Sequence, residues 1–98
     1  FYEVYNINGK ANVIYKMQDM IENATENIVV VGLDNLELLP KTEINIVIED
    51  STDEFIILID NKEILIGNIN ENYANAIYTK NMYVVGQYIK RRESQDRG

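Results

Sequence analysis

Any active site in this chain would have to work through carboxylates or a lysine, because its 98 residues hold neither histidine nor cysteine. Without imidazole or thiol there can be no Ser–His or Cys–His nucleophile pair, no phosphohistidine, and no imidazole or thiolate metal ligand. Acid–base catalysis would fall to carboxylates such as Asp53, Glu54 and Asp60. Two of them would need pKa values pushed apart in one pocket, and nothing in the sequence demands that. The run Glu49-Asp50-Ser51-Thr52-Asp53-Glu54 puts four carboxylates in six residues, enough oxygen for a hard cation. It lacks the alternating Asp-x-Asp-x-Asp-Gly order and the later bidentate Glu of a calcium loop. A solvated turn explains it, and no metal or cofactor is expected.

Turn and loop residues complete the candidate set. Asp60 is expected to order a hairpin turn by accepting backbone N–H bonds. Asn70 either holds its loop by side-chain to backbone bonds or points into a pocket. Tyr73 and Tyr78 flank the same region of sequence; they either stack on a small polar ligand or sit as amphipathic residues at the core edge. Asp53, Asp60, Asn70, Tyr73 and Tyr78 are therefore the candidate ligand residues. Their acidic rim suits a small uncharged or cationic metabolite.

The element that must position them runs from residue 53 to 70. Phe55 to Ile59 and Ile64 to Ile66 are nearly continuous apolar β-formers, with Asn61-Lys62 as turn chemistry between them. A hairpin apolar on both faces has to lie inside a sheet. Before it come a short aromatic strand pattern over Phe1 to Ile7, either an edge strand or the tail of a linker, ending at Asn8-Gly9, and an amphipathic helix over Lys10 to Ala24 for which Asn8 can act as cap. Met17 and Met20, at helical spacing, read as core fillers. Ile28 to Val31, closed by Gly32, is a buried strand, parallel to a later one if the helix is a crossover. Leu33 to Leu39 allows at most one helical turn before Pro40, and Thr42 to Glu49 is the next strand. After the hairpin, Gly67 gives backbone freedom at a strand end. Tyr73 to Tyr78 is a short strand, and Thr79 can cap a second helix carrying Met82, Val85, Gly86 and Ile89 on one face. The fold class is thus α/β: a mixed sheet of about five strands around a central hairpin, covered by an N-terminal and a C-terminal helix. One domain over residues 1–92 and a disordered tail over 93–98 are expected.

Charge narrows the partners. Residues 1–89 carry 5 basic and 14 acidic side chains, a net −9, whereas residues 90–98 carry 4 basic and 2 acidic ones. An acidic body repels phosphate backbones and anionic membranes, so neither nucleic acid nor membrane is an expected partner of these residues themselves. Lys90, Arg91 and Arg92 fall where a helix C-terminus favours positive charge. The absence of cysteine fits a reducing compartment, and there is no signal peptide or long apolar run; a cytoplasmic location follows as the expectation. A first residue of Phe1 rather than Met suggests a piece of a longer chain.

The order helix, strand, strand, hairpin, polar Gly/Asn loop, strand, helix resembles one repeat of the phospholipase D-like fold. Catalytic members carry His-x-Lys-x4-Asp, six residues, then Gly-Ser-x-Asn. In this sequence Asp60 falls on the motif Asp, Gly67 on the Gly and Asn70 on the Asn, while Asn68 replaces the Ser, Asp53 the His and Phe55 the Lys. The family's nucleophile is the imidazole and its Lys neutralises phosphate, so the resemblance implies a domain that is not an enzyme. The opening stretch, with Asn8-Gly9, Ile21-Glu22-Asn23-Ala24 and Ile28 to Val31, together with Leu58 to Glu63 and Ala76 to Asn81, is similar to TrmB-type archaeal transcription regulators. In that family such a domain senses an effector and dimerises, behind a DNA-binding winged helix. The resemblance implies a homodimer, a possible small-molecule effector, and DNA contact only through a domain not present in these residues. Leu33 to Lys41 departs from the family in being too short for its usual helix. A stand-alone oligomerisation or partner-binding module is the alternative.

Overall fold

The computed structural model describes residues 3–97. Strands β1 (Val4–Asn8), β2 (Ile28–Val31), β3 (Ile46–Glu49), β4 (Phe55–Ile59), β5 (Glu63–Ile69) and β6 (Ala74–Thr79) form one open sheet, with helices α1 (Lys10–Glu22) and α2 (Met82–Arg97). The sheet has six strands rather than about five, in the order β1-β6-β5-β4-β2-β3. The additional strand is β1, which pairs antiparallel with β6 as an edge; Phe1 and Tyr2 lie outside the described residues. β2 pairs parallel with β3 and antiparallel with β4, so the sheet is mixed.

Because side chains alternate along a strand, the hairpin feeds both faces of the sheet. Phe55, Ile57, Ile59 and Leu65 face α1, where Val13, Met17, Met20 and Ile21 close the main core with Ile28 and Val30. Leu58 and Ile64 face the other way, against Val85 of α2, with Ile56, Ile66, Tyr88 and Ile89 packed around them. Met17 and Met20 are 0% and 2% exposed, which makes them core.

Several local details differ from the sequence reading. The hairpin turn is centred on Asp60-Asn61 rather than Asn61-Lys62: their φ values are 54° and 53°, and Lys62 N–H donates to the Ile59 carbonyl at 2.9 Å. Two consecutive positive φ values match the right-handed twist of the flanking strands, and Asp and Asn tolerate them. Gly9, not Asn8, occupies the N-cap position of α1, and no side chain caps the helix. Asn81, not Thr79, caps α2, its Oδ1 accepting from Tyr83 N–H at 2.9 Å; Thr79 is buried and donates its hydroxyl to the Glu3 carbonyl instead. α2 continues to Arg97, so residues 93–97 are helical where a disordered tail is expected, and Gly98 lies outside the described residues.

Gly67 answers to a need other than freedom at a strand end. A Cβ there would strike the Asn75 carbonyl oxygen and lie 2.6 Å from the Ala76 Cα, so close approach of β6 forbids any side chain. Gly86 is the opposite case, since a Cβ at that position would meet nothing within 4 Å. Gly86→Ala is expected to stabilise the chain by about 1 kcal/mol through helix propensity, raising Tm by roughly 5 °C. Differential scanning calorimetry checks this.

Candidate functional site

The register of the hairpin decides which candidate residues can meet. Phe55 pairs with Gly67 and Ile59 with Glu63, so Asp53 and Asn70 stand at one end of the sheet and Asp60 at the other. The seven residues of β5 separate Asp60 from Asn70, about 20 Å at the usual strand rise. Tyr73 joins Asn70, whereas Tyr78 lies nearly the length of β6 away beside Glu63, so the two tyrosines do not flank one region. The five residues do not form a single site. The hairpin pattern itself carried the signal: in an antiparallel pair, residues on either side of a turn meet only when equidistant from it.

At the far end Asp60 is a staple between loops rather than an organiser of its own turn. One carboxylate oxygen accepts from Glu26 N–H at 2.6 Å and Asn27 N–H at 2.9 Å, and the other from Thr25 N–H at 2.9 Å and its hydroxyl at 3.0 Å. The Asp60 amide returns a bond to the Asn27 carbonyl at 2.9 Å. Burial pushes the carboxyl pKa up, but donors from Thr25, Asn27 and Glu26 outweigh it and hold the group below its ordinary value. Tyr78 is similarly occupied. Its hydroxyl donates to Glu63 at 2.9 Å, Lys16 Nζ lies 3.8 Å above its ring, and burial with the Glu63 bond raises its pKa far above the phenol range. Both residues are engaged within the fold.

The near end is where space opens. Asn70 Oδ1 accepts from Asn72 and Tyr73 N–H at 2.8 and 3.0 Å, so its side chain holds the β5–β6 connection. It also borders a cavity of about 470 Å³ with Lys10, Leu33 and Glu71. Beside it, Gly32, Asp53, Phe55 and Asn68 line a second hollow of about 360 Å³. Phe55 is only 2% exposed and belongs to the main core. A third cleft, about 320 Å³, lies between α2 and the acidic connection and is lined by Asp53, Glu54, Tyr88, Arg91 and Arg92 among others. The sequence reading missed α2 as a wall of this cleft. The spacing Tyr88, Arg91, Arg92, Gln95 was the available signal, since it is one face of a helix. Arg92 binds Glu49 through both guanidinium nitrogens at 2.7 and 2.8 Å, and this bond draws the Glu49 carboxyl below its ordinary pKa against the opposing pull of burial. Among the described residues no group of three carboxylates converges as a metal site. No helix there is long and apolar enough to cross a membrane.

Fold and site together define an α/β domain with an open six-stranded sheet, a helix on each face, and several hollows at the sheet end that holds Asp53 and Asn70. That architecture is shared with solved structures. NucT from Helicobacter pylori superposes with a TM-score of 0.73 at 9% identity, covering 96% of this chain and 95% of that one. TrmBL2, an archaeal chromatin protein whose structure shows a novel mode of DNA binding, superposes with a TM-score of 0.67 at 14% identity. The match covers 96% of this chain but 51% of TrmBL2, so the chain spans about half of that protein's length. At such identities the likeness is one of fold alone, an architecture this chain has in common with both NucT and TrmBL2. No protein-family model matches the chain, and no curated protein matches it in sequence.

Proposed function

We propose that the chain is a non-catalytic effector-sensing and dimerisation domain of a transcription regulator, built on a phospholipase D-like repeat whose chemistry has been lost. The observation that carries this reading is the hollow at the near sheet end. Positions 53, 55 and 68, which in the catalytic pattern hold His, Lys and Ser, border one space and here are Asp53, Phe55 and Asn68. An acidic side chain in the nucleophile position repels a phosphodiester, and a buried phenylalanine supplies no charge to neutralise it. The likeness in fold to TrmBL2 supports a regulatory role, and the net −9 of residues 1–89 supports a reading in which these residues do not themselves contact DNA. Dimerisation is supported by uncovered apolar surface: Val4 and Ile77 on β1 and β6 are 53% and 47% exposed, and Met82 and Tyr83 at the start of α2 are 54% and 76% exposed.

Hydrolysis of bis(p-nitrophenyl) phosphate, with and without divalent cations, tests the lost chemistry. The expected rate is that of buffer alone. Turnover that disappears on Asp53→Asn would contradict the reading.

A further inference from the structure

We infer that the cleft between α2 and the 50–54 connection binds a free amino acid with an apolar side chain, held as its zwitterion. The inference names an effector class for the sensing role proposed above and rests on that reading for its use, though not for its chemistry. The floor of the cleft is one row of the sheet. Ile66 pairs with Ile56, Ile56 with Val31, and Val31 with Glu49, so three aliphatic side chains stand side by side and the row ends in a carboxylate. Tyr88 of α2, which packs with Ile56 and Ile66 around Leu58, Ile64 and Val85, lines the cleft beside them and extends this apolar surface. A side chain such as leucine's would find partners on two sides.

The walls carry opposite charges. On one side α2 presents Arg91 and Arg92; on the other the connection presents Asp53 and Glu54. The Arg92–Glu49 pair is closed within the fold, while Arg91 has no ion-pair partner among the described residues. Asp53 and Glu54 likewise have none among them, and all three side chains are exposed. With Arg92 and Glu49 neutralising one another, the remaining walls offer one cation against an acidic majority. A ligand with net negative charge is disfavoured there, and a simple cation leaves Arg91 unanswered. A molecule with an ammonium at one end of a short backbone and a carboxylate at the other satisfies both walls.

Isothermal titration of the 98-residue chain with L-leucine, leucinamide and N-acetyl-leucine tests this. L-Leucine is expected to saturate with a Kd of about 1 mM or tighter, and each analogue, having lost one charge, to bind about tenfold more weakly. Arg91→Gln and the double variant Asp53→Asn with Glu54→Gln change only exposed side chains; each is expected to weaken leucine binding about fivefold while leaving the unfolding midpoint unchanged. No saturation up to about 10 mM would overturn the inference, as would leucinamide binding as tightly as leucine. Solution mass separates the two proposals. A monomer that binds leucine through these residues sinks the dimer and keeps the cleft; a dimer that ignores leucine does the reverse.

Discussion

Gly67→Val is expected to cost at least about 3 kcal/mol of folding stability, a large share of what a domain this size possesses. The obstacle is backbone. A new Cβ meets the Asn75 carbonyl oxygen and the Ala76 Cα, neither of which can swing aside as the tip of a side chain would. Relief requires β5 and β6 to part along the register that pairs Gly67 with Ala76 and Asn68 with Asn75, which would also distort the hollow beside Asp53. Urea unfolding followed by circular dichroism measures the loss, with Asn68→Ala, an exposed neighbour, as the near-neutral control. A cost under about 1 kcal/mol would mean that β5 and β6 do not approach so closely.

The second large effect belongs to Asp60. Asp60→Ala is expected to destabilise the chain by about 3 kcal/mol, since it removes charge-assisted bonds to Thr25, Glu26 and Asn27 and places alanine in a left-handed turn. Asp60→Asn keeps the turn preference and one acceptor, so about half of that loss is expected. The wild-type residue also sets a pH dependence. Its folded pKa is lowered, so the unfolded chain binds the proton more readily. The stabilisation is therefore complete above the unfolded carboxylate value of about 4 and disappears as pH falls through the folded value. Glu49, lowered by Arg92, acts in the same direction. Thermal midpoints between pH 7 and pH 2.5 should fall less steeply in Asp60→Asn than in wild type, leaving the Glu49 contribution behind.

These two residues mark where the sequence can be read and where it cannot. The hairpin, both helices and the core methionines follow from patterns a few residues long: β-branched runs, period 3.6, turn chemistry. Asp60 was recognisable as a backbone acceptor, yet its donors lie 33 to 35 residues earlier, in a loop that no local pattern ties to the turn. Gly67 carried no mark to distinguish freedom from close approach, because only the opposing strand makes that difference. β1 reads as an edge strand or a linker until β6, some seventy positions later, supplies its partner. The division of the candidate residues between two sheet ends was legible in principle, because the hairpin fixes which positions meet. For the cleft beneath α2 only the helix face of Tyr88, Arg91, Arg92 and Gln95 was legible, because the cleft itself forms when α2 returns across the sheet and Arg92 reaches Glu49.

The role proposed for this domain is recognition and assembly, and the mass of the chain in solution tests that most directly. Sedimentation equilibrium at micromolar to high micromolar concentration is expected to give twice the 11.3 kDa of one chain, with Ile77→Asp, on the exposed strip of β6, reducing it to a single chain. A wild-type mass that stays at 11.3 kDa across the whole range would contradict it.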